Sequence, residues 1–256
     1  MNSIVRALNT PAQVARQRVS VLLPNLNKGP FIEERIASLL AQTFQEWECI
    51  VVDSESDDGS AEKLKHFART DTRVRFLSAP RDGLYRNWNR ALEQAQGDLV
   101  YLATSDDTMH PEFLERTVSA MRGHPDAGLC ATRLRLIDEH SRPLPHRWEH
   151  SLNANYYGDW LARAHRRTPE AEGLRLFALG VIHTAMNGLL IRRALFDEVG
   201  PFPLDYGNAG DMAWQHQAVP LRETLYLPQP LASFRHYQGQ ATATIPDYHS
   251  ITARLL

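Results

Sequence analysis

The 256-residue chain has little cysteine, no long apolar run and no large excess of either charge. Its two cysteines, Cys49 and Cys130, lie in apolar stretches without zinc-type spacing, so we expect reduced core residues and a cytoplasmic protein. The apolar runs fall far short of the roughly 18 residues that a membrane-spanning helix needs, so no transmembrane segment is expected. The formal net charge of −2 gives no reason to expect a nucleic-acid partner.

Glycine-rich phosphate loops are also missing from the sequence. The first apolar strand is followed by LPNLNKGPF, which has one glycine, and no G-x-G-x-x-G occurs in the chain. These absences argue against a sugar-phosphate nucleotidylyltransferase and against a nicotinamide-dependent oxidoreductase. Residues 1–17 lack the continuous apolar segment of a signal peptide, so we expect a short N-terminal extension there.

The first half of the chain alternates between strand patterns and helix patterns. Four near-continuous apolar strands are predicted at residues 18–24, 47–53, 73–78 and 98–104, and helices at 30–42, 60–69, 84–96 and 111–122. This alternation predicts a parallel sheet with helices on both faces. In such sheets, ligands bind outside the carboxyl ends of the strands.

Polar residues stand at three of these predicted strand ends. They are Pro24-Asn25, Asp53 and the adjacent carboxylates Asp106 and Asp107. Two neighbouring carboxylates repel each other unless a cation compensates them, and oxygen ligands suit Mg²⁺ or Mn²⁺. Alternatively, Asp106 and Asp107 cap the following turn and helix. Asp53 either accepts hydrogen bonds from a base or a ribose, or forms a turn with its own loop.

The second half of the chain is less regular. A long strand is predicted at 127–138, a strand running into a helix at 186–202, and a short helix at 211–218. Two further strands are predicted in TLYLP and LASFRHY. The simplest organisation is one continuous domain with a catalytic half and a substrate-binding half.

Three stretches together resemble the family 2 glycosyltransferases of the GT-A fold. They are residues 19–60, residues 83–107 and residues 187–202, and the resemblance extends over about 18–242. It implies an α/β GT-A single domain over residues 18–242 with a Rossmann-like, mostly parallel sheet and a less regular acceptor-binding half. Residues 18–125 would form the nucleotide-sugar-binding half and residues 126–242 the acceptor and catalytic-base half, followed by a tail at 243–256. It also implies a nucleoside-diphosphate sugar donor, with UDP the expected nucleotide, and transfer with inversion at the anomeric carbon.

The resemblance also implies roles for individual residues. Asp107 matches the metal ligand of the family's Asp-x-Asp motif, so it would hold Mn²⁺ or Mg²⁺, and Asp106 would contact sugar or ribose hydroxyls. Ser105 stands where the family has the first Asp of this motif. The residues expected to bind the nucleotide sugar are Pro24, Asn25, Asn27, Asp53, Arg86, Asn89, Ser105 and Asp106.

Two further site residues are expected in the second half. Asp211 matches the catalytic base that deprotonates the acceptor hydroxyl, although Gly210 replaces the usual Glu, and Asp211 could instead cap a short helix. His236 matches a ligand for the metal or a phosphate, although it lies one residue away from the expected spacing. A shift of one residue in a strand moves a side chain to the other face. Arg86 would pair with the diphosphate or only cover its helix.

The acceptor is expected to meet a segment rich in arginine and aromatic residues. This segment contains Arg133, Arg135, Arg142, Arg147, Trp148, Tyr156, Tyr157, Trp160, Arg163, Arg166 and Arg167. It suggests an anionic saccharide or a lipid-linked glycan as acceptor, and hence peripheral association with the inner face of the membrane, or else a solvated loop. His183 would line the acceptor pocket or serve as a structural histidine.

Two functions therefore stand as expectations. The first is a metal-dependent, inverting glycosyltransferase. The second is a non-catalytic relative that binds nucleotides or glycans, an alternative suggested by Ser105, Gly210 and the displaced His236.

Overall fold

The computed structural model describes residues 17–145, 157–179, 183 and 185–240, together with the backbone of residues 5–7. The strands in these ranges are β1 (Val5–Ala7), β2 (Val19–Asn25), β3 (Trp47–Asp53), β4 (Val74–Ser78), β5 (Leu99–Leu102), β6 (Thr108–Met109), β7 (Ala127–Ile137), β8 (His165–Arg167), β9 (Leu189–Arg192) and β10 (Glu223–Arg235). The α-helices are α1 (Ile32–Leu40), α2 (Ser60–Thr70), α3 (Leu84–Glu93), α4 (Phe113–Gly123), α5 (Pro169–Leu179), α6 (Arg193–Val199) and α7 (Gly210–Ala218). None of these helices is both long enough and apolar enough to cross a bilayer.

The strands form one mixed sheet in the order β1-β8-β10-β7-β9-β5-β2-β3-β4, and β6 pairs with β10 beside this path. Strands β4, β3, β2 and β5 run parallel, as do β7 and β10. Strand β9 is antiparallel to both of its neighbours and joins the two parallel groups. The prediction of an α/β domain with a mostly parallel central sheet is confirmed.

The apolar strands are buried because helices cover both faces of the sheet. All seven residues of β2 and of β3 are buried. Their side chains alternate between the faces: Val21 and Leu23 enter a core formed with α1 and α4, whereas Leu22 enters the core on the α3 side. The two cysteines are free and buried, as the sequence predicted.

The last strand differs from the prediction. The two strands expected in TLYLP and LASFRHY form a single strand, β10, which pairs with β7 along its length. The register shifts between Leu227 and Pro230, where two prolines remove backbone donors from the ladder. Proline at this point produces an irregularity in the strand rather than its end.

The sheet brings distant parts of the chain together at one edge. Asn25 lies beside Asp53 in the register of β2 and β3, and β10 ends at Arg235 beside the end of β7. Because β9 is antiparallel, the residues that precede it, including Asn187, lie at this same edge. The carboxyl edge of the parallel strands therefore receives residues from both halves of the chain.

Candidate active site

Asp53 forms the first wall of the site together with the loop that follows it. Its carboxylate accepts hydrogen bonds from Asn25 Nδ2 at 2.7 Å, from Ser56 Oγ at 2.7 Å and from the Ser56 backbone N–H at 3.0 Å. Asn25 also donates to Ser60 Oγ at the start of α2, at 2.9 Å. Asp53 is thus brought to the sheet edge as predicted, and its bonds fix the shape of its own loop.

The loop after β2 packs on the loop after β3. Asn27 has a positive φ of 50°. Its side-chain Nδ2 donates to Asp57 Oδ1 at 2.8 Å, and its side-chain Oδ1 accepts from the Asp57 backbone N–H at 3.0 Å. The Gly29 N–H donates to Asp58 Oδ2 at 2.6 Å, and a Cβ at position 29 would lie 2.9 Å from the Asp58 backbone oxygen. Glycine is therefore required at position 29 for the two loops to meet.

Asp107 has surroundings that differ from those of a metal ligand. It is 2 % exposed, and its Oδ2 accepts hydrogen bonds from the Thr104 hydroxyl and, at 2.8 Å, from Asn187 Nδ2. Its Oδ1 accepts one from the Arg235 backbone N–H at 2.7 Å. Burial, followed by the charge of Asp106, raises the pKa of Asp107. Asp107 links three segments of the sheet edge, and we therefore correct its expected role as the metal ligand.

Asp106 is the carboxylate of the pair that contacts a cation, and this cation is a lysine. Its Oδ2 lies 3.1 Å from Lys28 Nζ and accepts a hydrogen bond from the Tyr237 hydroxyl at 2.7 Å. Burial opposes the charge of Lys28, but Asp106 and Tyr237 outweigh it and raise the pKa of Lys28. Burial and the nearby Asp106 charge raise the pKa of Tyr237 to about 12, so Tyr237 is a neutral donor.

His236 does not join this cluster. Its side chain is exposed, and its backbone N–H donates to the Ile137 carbonyl at 2.8 Å. The next residue, Tyr237, reaches Asp106 instead, because successive side chains of an extended chain point to opposite sides. The expected metal or phosphate ligand His236 is corrected for this reason.

The donor set does not fit a divalent-metal site as it is arranged. Among the described residues, no group of three or more His, Cys, Asp or Glu side chains could hold a metal ion. Protein donors occupy both oxygens of Asp107, and Lys28 and Tyr237 share Oδ2 of Asp106. Mg²⁺-type ions in proteins use one or two carboxylates together with substrate phosphates, and the single available carboxylate, Asp106, is already paired with Lys28.

Several other predicted nucleotide-binding residues have structural contacts. The buried Ser105 hydroxyl donates to the Pro24 carbonyl at 2.6 Å and ties the loop after β5 to the end of β2. The Asn89 side chain donates to and accepts from the backbone of Phe202, at 2.9 Å in each case. Arg86 is exposed on α3. Binding of the donor by Pro24, Ser105, Arg86 and Asn89 stays a prediction.

Asp211 lies in the first turn of α7 and faces α3. Its Oδ1 accepts hydrogen bonds from the Tyr85 hydroxyl at 2.7 Å and from the Met212 N–H at 2.9 Å. Burial raises the pKa of Asp211, although the hydrogen bond from Tyr85 opposes this. A pKa raised by burial makes a carboxylate a stronger proton acceptor once it is ionised. Asp211 is not the N-cap, since Ala209 occupies that position.

Gly210 is a glycine for steric reasons. A Cβ at this position would lie 2.7 Å from the Pro203 carbonyl oxygen and 2.9 Å from Cδ2 of Tyr85. The ring of Tyr85 thus takes the space that any side chain at position 210 would need. Glycine replaces the family's Glu at position 210, and the space is taken by Tyr85, the residue that donates a hydrogen bond to the expected base Asp211.

Much of the arginine and aromatic segment is not an open acceptor surface. Arg167 is buried, lies 3.6 Å from the Tyr157 ring centroid and faces the buried Glu172, which also pairs with Arg175 at 3.0 Å. Arg142 pairs with Asp138, and Arg166 pairs with Glu223. Arg135 and Arg163 are exposed. Arg147, Trp148 and Tyr156 lie outside the described residues.

The backbone of His183 is fixed by Gln215, while its buried Nε2 has no hydrogen-bond partner among the described residues. Its backbone N–H donates to Gln215 Oε1 at 3.1 Å, and Gln215 Nε2 donates to its carbonyl at 2.9 Å. Burial, together with the Arg167 charge, lowers the pKa of His183 to about 3, so its ring is neutral.

The sequence did not point to four residues that build the site. Lys28 and Tyr237 each stand within three residues of a predicted site residue, and strand alternation could have indicated Tyr237. Tyr85 lies one turn before Asn89, and nothing in the sequence links it to Asp211. Asn187 reaches Asp107 across 80 residues, and only the pairing of β9 reveals this contact.

Comparisons with known proteins agree with the fold. The family described as Glycosyl transferase family 2 matches residues 20–200. Glycosyltransferase AglE from Haloferax volcanii is 24% identical over 204 residues, which cover 78% of this chain and 61% of AglE.

Two solved structures share the fold at low sequence identity. One is S. aureus TarS (residues 1–349) in complex with UDP-GlcNAc, with a TM-score of 0.72, 18% identity and coverage of 93% of this chain and 66% of TarS 1–349. The other is the mannosyltransferase PcManGT from Pyrobaculum calidifontis in complex with GDP-Man and Mn²⁺, with a TM-score of 0.68, 22% identity and coverage of 91% and 61%. The chain thus spans less than two thirds of AglE and of the mannosyltransferase. The match over more than half of the chain, together with the GT-A architecture, shows that the protein belongs to glycosyl transferase family 2.

Proposed function

We propose that this chain transfers a sugar from a nucleoside-diphosphate sugar to an acceptor hydroxyl, with inversion and with Asp211 as the base. One observation carries the proposal: helix α3 contacts both Asp211 and the loop that follows Asp53. Asn87 in the first turn of α3 donates to Ser54 Oγ at 2.5 Å, beside Asp53, and Tyr85 in the same turn donates to Asp211. Helix α3 therefore joins the expected nucleotide wall to the expected base.

The donor is proposed from the family and from the two loops that meet beside Asp53. The solved relatives contain UDP-GlcNAc and GDP-Man, so a nucleoside-diphosphate sugar is the common class. Asn25, Asn27 and Asp53 would contact the nucleoside, and Asp106 the sugar or ribose hydroxyls. A UDP-sugar remains the expected donor.

The reaction needs a group that removes the acceptor proton. The ionised Asp211 would accept this proton while the acceptor oxygen attacks the anomeric carbon and the bond to the diphosphate breaks. Burial raises the pKa of Asp211 and thereby increases its basicity, and the Tyr85 hydroxyl fixes the direction of its carboxylate. A general base of this kind contributes about 10²- to 10⁴-fold to the rate.

The metal requirement stays a prediction drawn from the family. The mannosyltransferase relative contains Mn²⁺, whereas the contacts of Asp106 and Asp107 in this chain do not form a metal site. An anionic saccharide or a lipid-linked acceptor, and association with the inner membrane face, also remain predictions, and the exposed Arg135 and Arg163 are the candidates for acceptor contacts.

A donor screen tests the proposed function. UDP- and GDP-sugars would be incubated with the protein, with and without simple saccharide acceptors, and the released nucleotide would be measured. Release from at least one donor, increased by an acceptor, is the expected result. Tight nucleotide binding without release from any donor would instead support the non-catalytic binding relative.

A further inference from the structure

Lys28 connects the two walls of the proposed donor site. It belongs to the loop after β2, and its Nζ lies 3.1 Å from Asp106 Oδ2 and 2.5 Å from the Tyr237 hydroxyl. The Tyr237 ring packs on Phe31 with 4.9 Å between the ring centroids, and Lys28 Nζ lies 5.2 Å from the Tyr237 centroid. The ammonium is therefore held by hydrogen bonds and by an aromatic ring that is itself fixed.

The positive charge of Lys28 offsets the repulsion between the adjacent carboxylates Asp106 and Asp107. Asp107 is bonded by three uncharged donors, from Thr104, Asn187 and the Arg235 backbone. The Arg235 guanidinium is paired with Glu34 at 2.6 Å. Lys28 is thus the described side chain whose charge directly pairs with the Asp106 carboxylate.

We infer that Lys28 is the cation that receives the diphosphate of the donor, so that the nucleotide binds without a divalent metal ion. This inference rests on the proposed function for the class of ligand. An ammonium has three N–H donors, and two of them are used by Asp106 and Tyr237, which leaves one for a phosphate oxygen.

The position of Lys28 agrees with this role. Strand β2 lies between β3, which carries Asp53, and β5, which precedes Asp106. Lys28 stands three residues after the end of β2, so its loop starts between these two walls. The Lys28 side chain is 26% exposed, so a ligand can reach part of it.

Calorimetry with UDP and with GDP tests the inference on the full chain. Each nucleotide would be titrated in EDTA and in Mn²⁺, with the wild type, Lys28→Gln and Lys28→Arg. We expect the wild type to bind at least one nucleotide in EDTA, and Lys28→Gln to bind it about 10- to 100-fold more weakly. Lys28→Arg keeps the charge and is expected to recover most of the affinity.

Two further variants separate charge at this site from general effects. Lys65→Gln removes a lysine of α2 that pairs with Glu62 on the surface, and it should leave nucleotide binding unchanged. Lys28→Met keeps the length of the side chain without its charge, and it should weaken binding in EDTA as Lys28→Gln does. Thermal unfolding of each variant checks that it folds, and Lys28→Met decides the question if Lys28→Gln does not fold.

The outcomes distinguish this inference from the proposed function. Binding that requires Mn²⁺ and disappears in EDTA overturns the inference and leaves the glycosyltransferase proposal intact. Equal affinity of the wild type and Lys28→Gln in EDTA, or of the wild type and Lys28→Met, also overturns it. Absence of UDP and GDP binding in both conditions contradicts the proposed donor class itself.

Discussion

Replacing Tyr85 with Phe should impair the proposed base without disturbing the core. The variant keeps the ring, which packs against Trp88 and Phe202 with centroids 5.8 Å away in each case. It removes only the hydroxyl that donates to Asp211 at 2.7 Å and lies 2.9 Å from the Asn208 carbonyl. The loss is therefore confined to hydrogen bonds at the site.

The size and the sign of the effect follow from that hydrogen bond. A hydrogen bond to a charged group contributes about 1.5–3 kcal/mol, so loss of the orientation of Asp211 should lower kcat on the order of 10-fold. The Tyr85 hydrogen bond also lowers the pKa of Asp211 against the effect of burial. Its removal raises that pKa further, and because the base acts when ionised, the acidic limb of the pH–rate profile should move to higher pH.

The assay is kcat/KM against pH for sugar transfer, measured on the wild type, Tyr85→Phe and Tyr226→Phe. Tyr226 is a buried tyrosine of β10 that stacks on His165, so its substitution controls for loss of a phenol hydroxyl elsewhere in the core. An unchanged acidic limb and an unchanged kcat in Tyr85→Phe would refute the role assigned to this contact.

Three further predictions concern stability. Asp107→Asn should lower the free energy of unfolding by about 2–4 kcal/mol in chemical denaturation, because it disturbs a buried carboxylate with three donors, and a variant as stable as the wild type would contradict this. Gly210→Ala should cost about 1–3 kcal/mol because its Cβ meets Pro203 and Tyr85. Gly173→Ala in α5, where the added Cβ would lie 3.4 Å from its nearest neighbour, should instead be neutral or stabilising. A greater loss of stability in Gly173→Ala than in Gly210→Ala would contradict this prediction. Burial lowers the pKa of His165 to about 4 in the folded protein. Between about pH 6.5 and pH 4 the unfolded chain therefore binds a proton that the folded protein does not, and Tm should fall as the pH falls through this range. The fall in Tm should be less steep in His165→Asn.

The general position of the site followed from local sequence patterns. Buried parallel strands can be recognised in the sequence as apolar runs, and their carboxyl ends lie at one edge of the sheet. Asn25, Asp53 and Asp106 could therefore be placed together from the sequence. The register of β2 and β3 sets Asn25 beside Asp53 as that reasoning requires. These features depend on residues that are close in sequence.

The roles within the acidic pair could not be read in the same way. Which carboxylate faces the cleft depends on Asn187 and on the end of β10, both of which reach Asp107 from more than 75 residues away. The identity of the cation depends on a lysine whose partner is 78 residues further along the chain. The choice between His236 and Tyr237 depended on one residue of strand register. Long-range pairing decided each of these details.

The amount of nucleotide released by the wild type and by Asp211→Asn tests whether Asp211 is the base of the sugar transfer. The asparagine keeps the shape and the acceptor oxygen for Tyr85 but cannot take a proton. We expect the rate to fall about 10²- to 10⁴-fold while the affinity for the nucleotide stays unchanged. Transfer by Asp211→Asn at the wild-type rate would show that Asp211 is not the base.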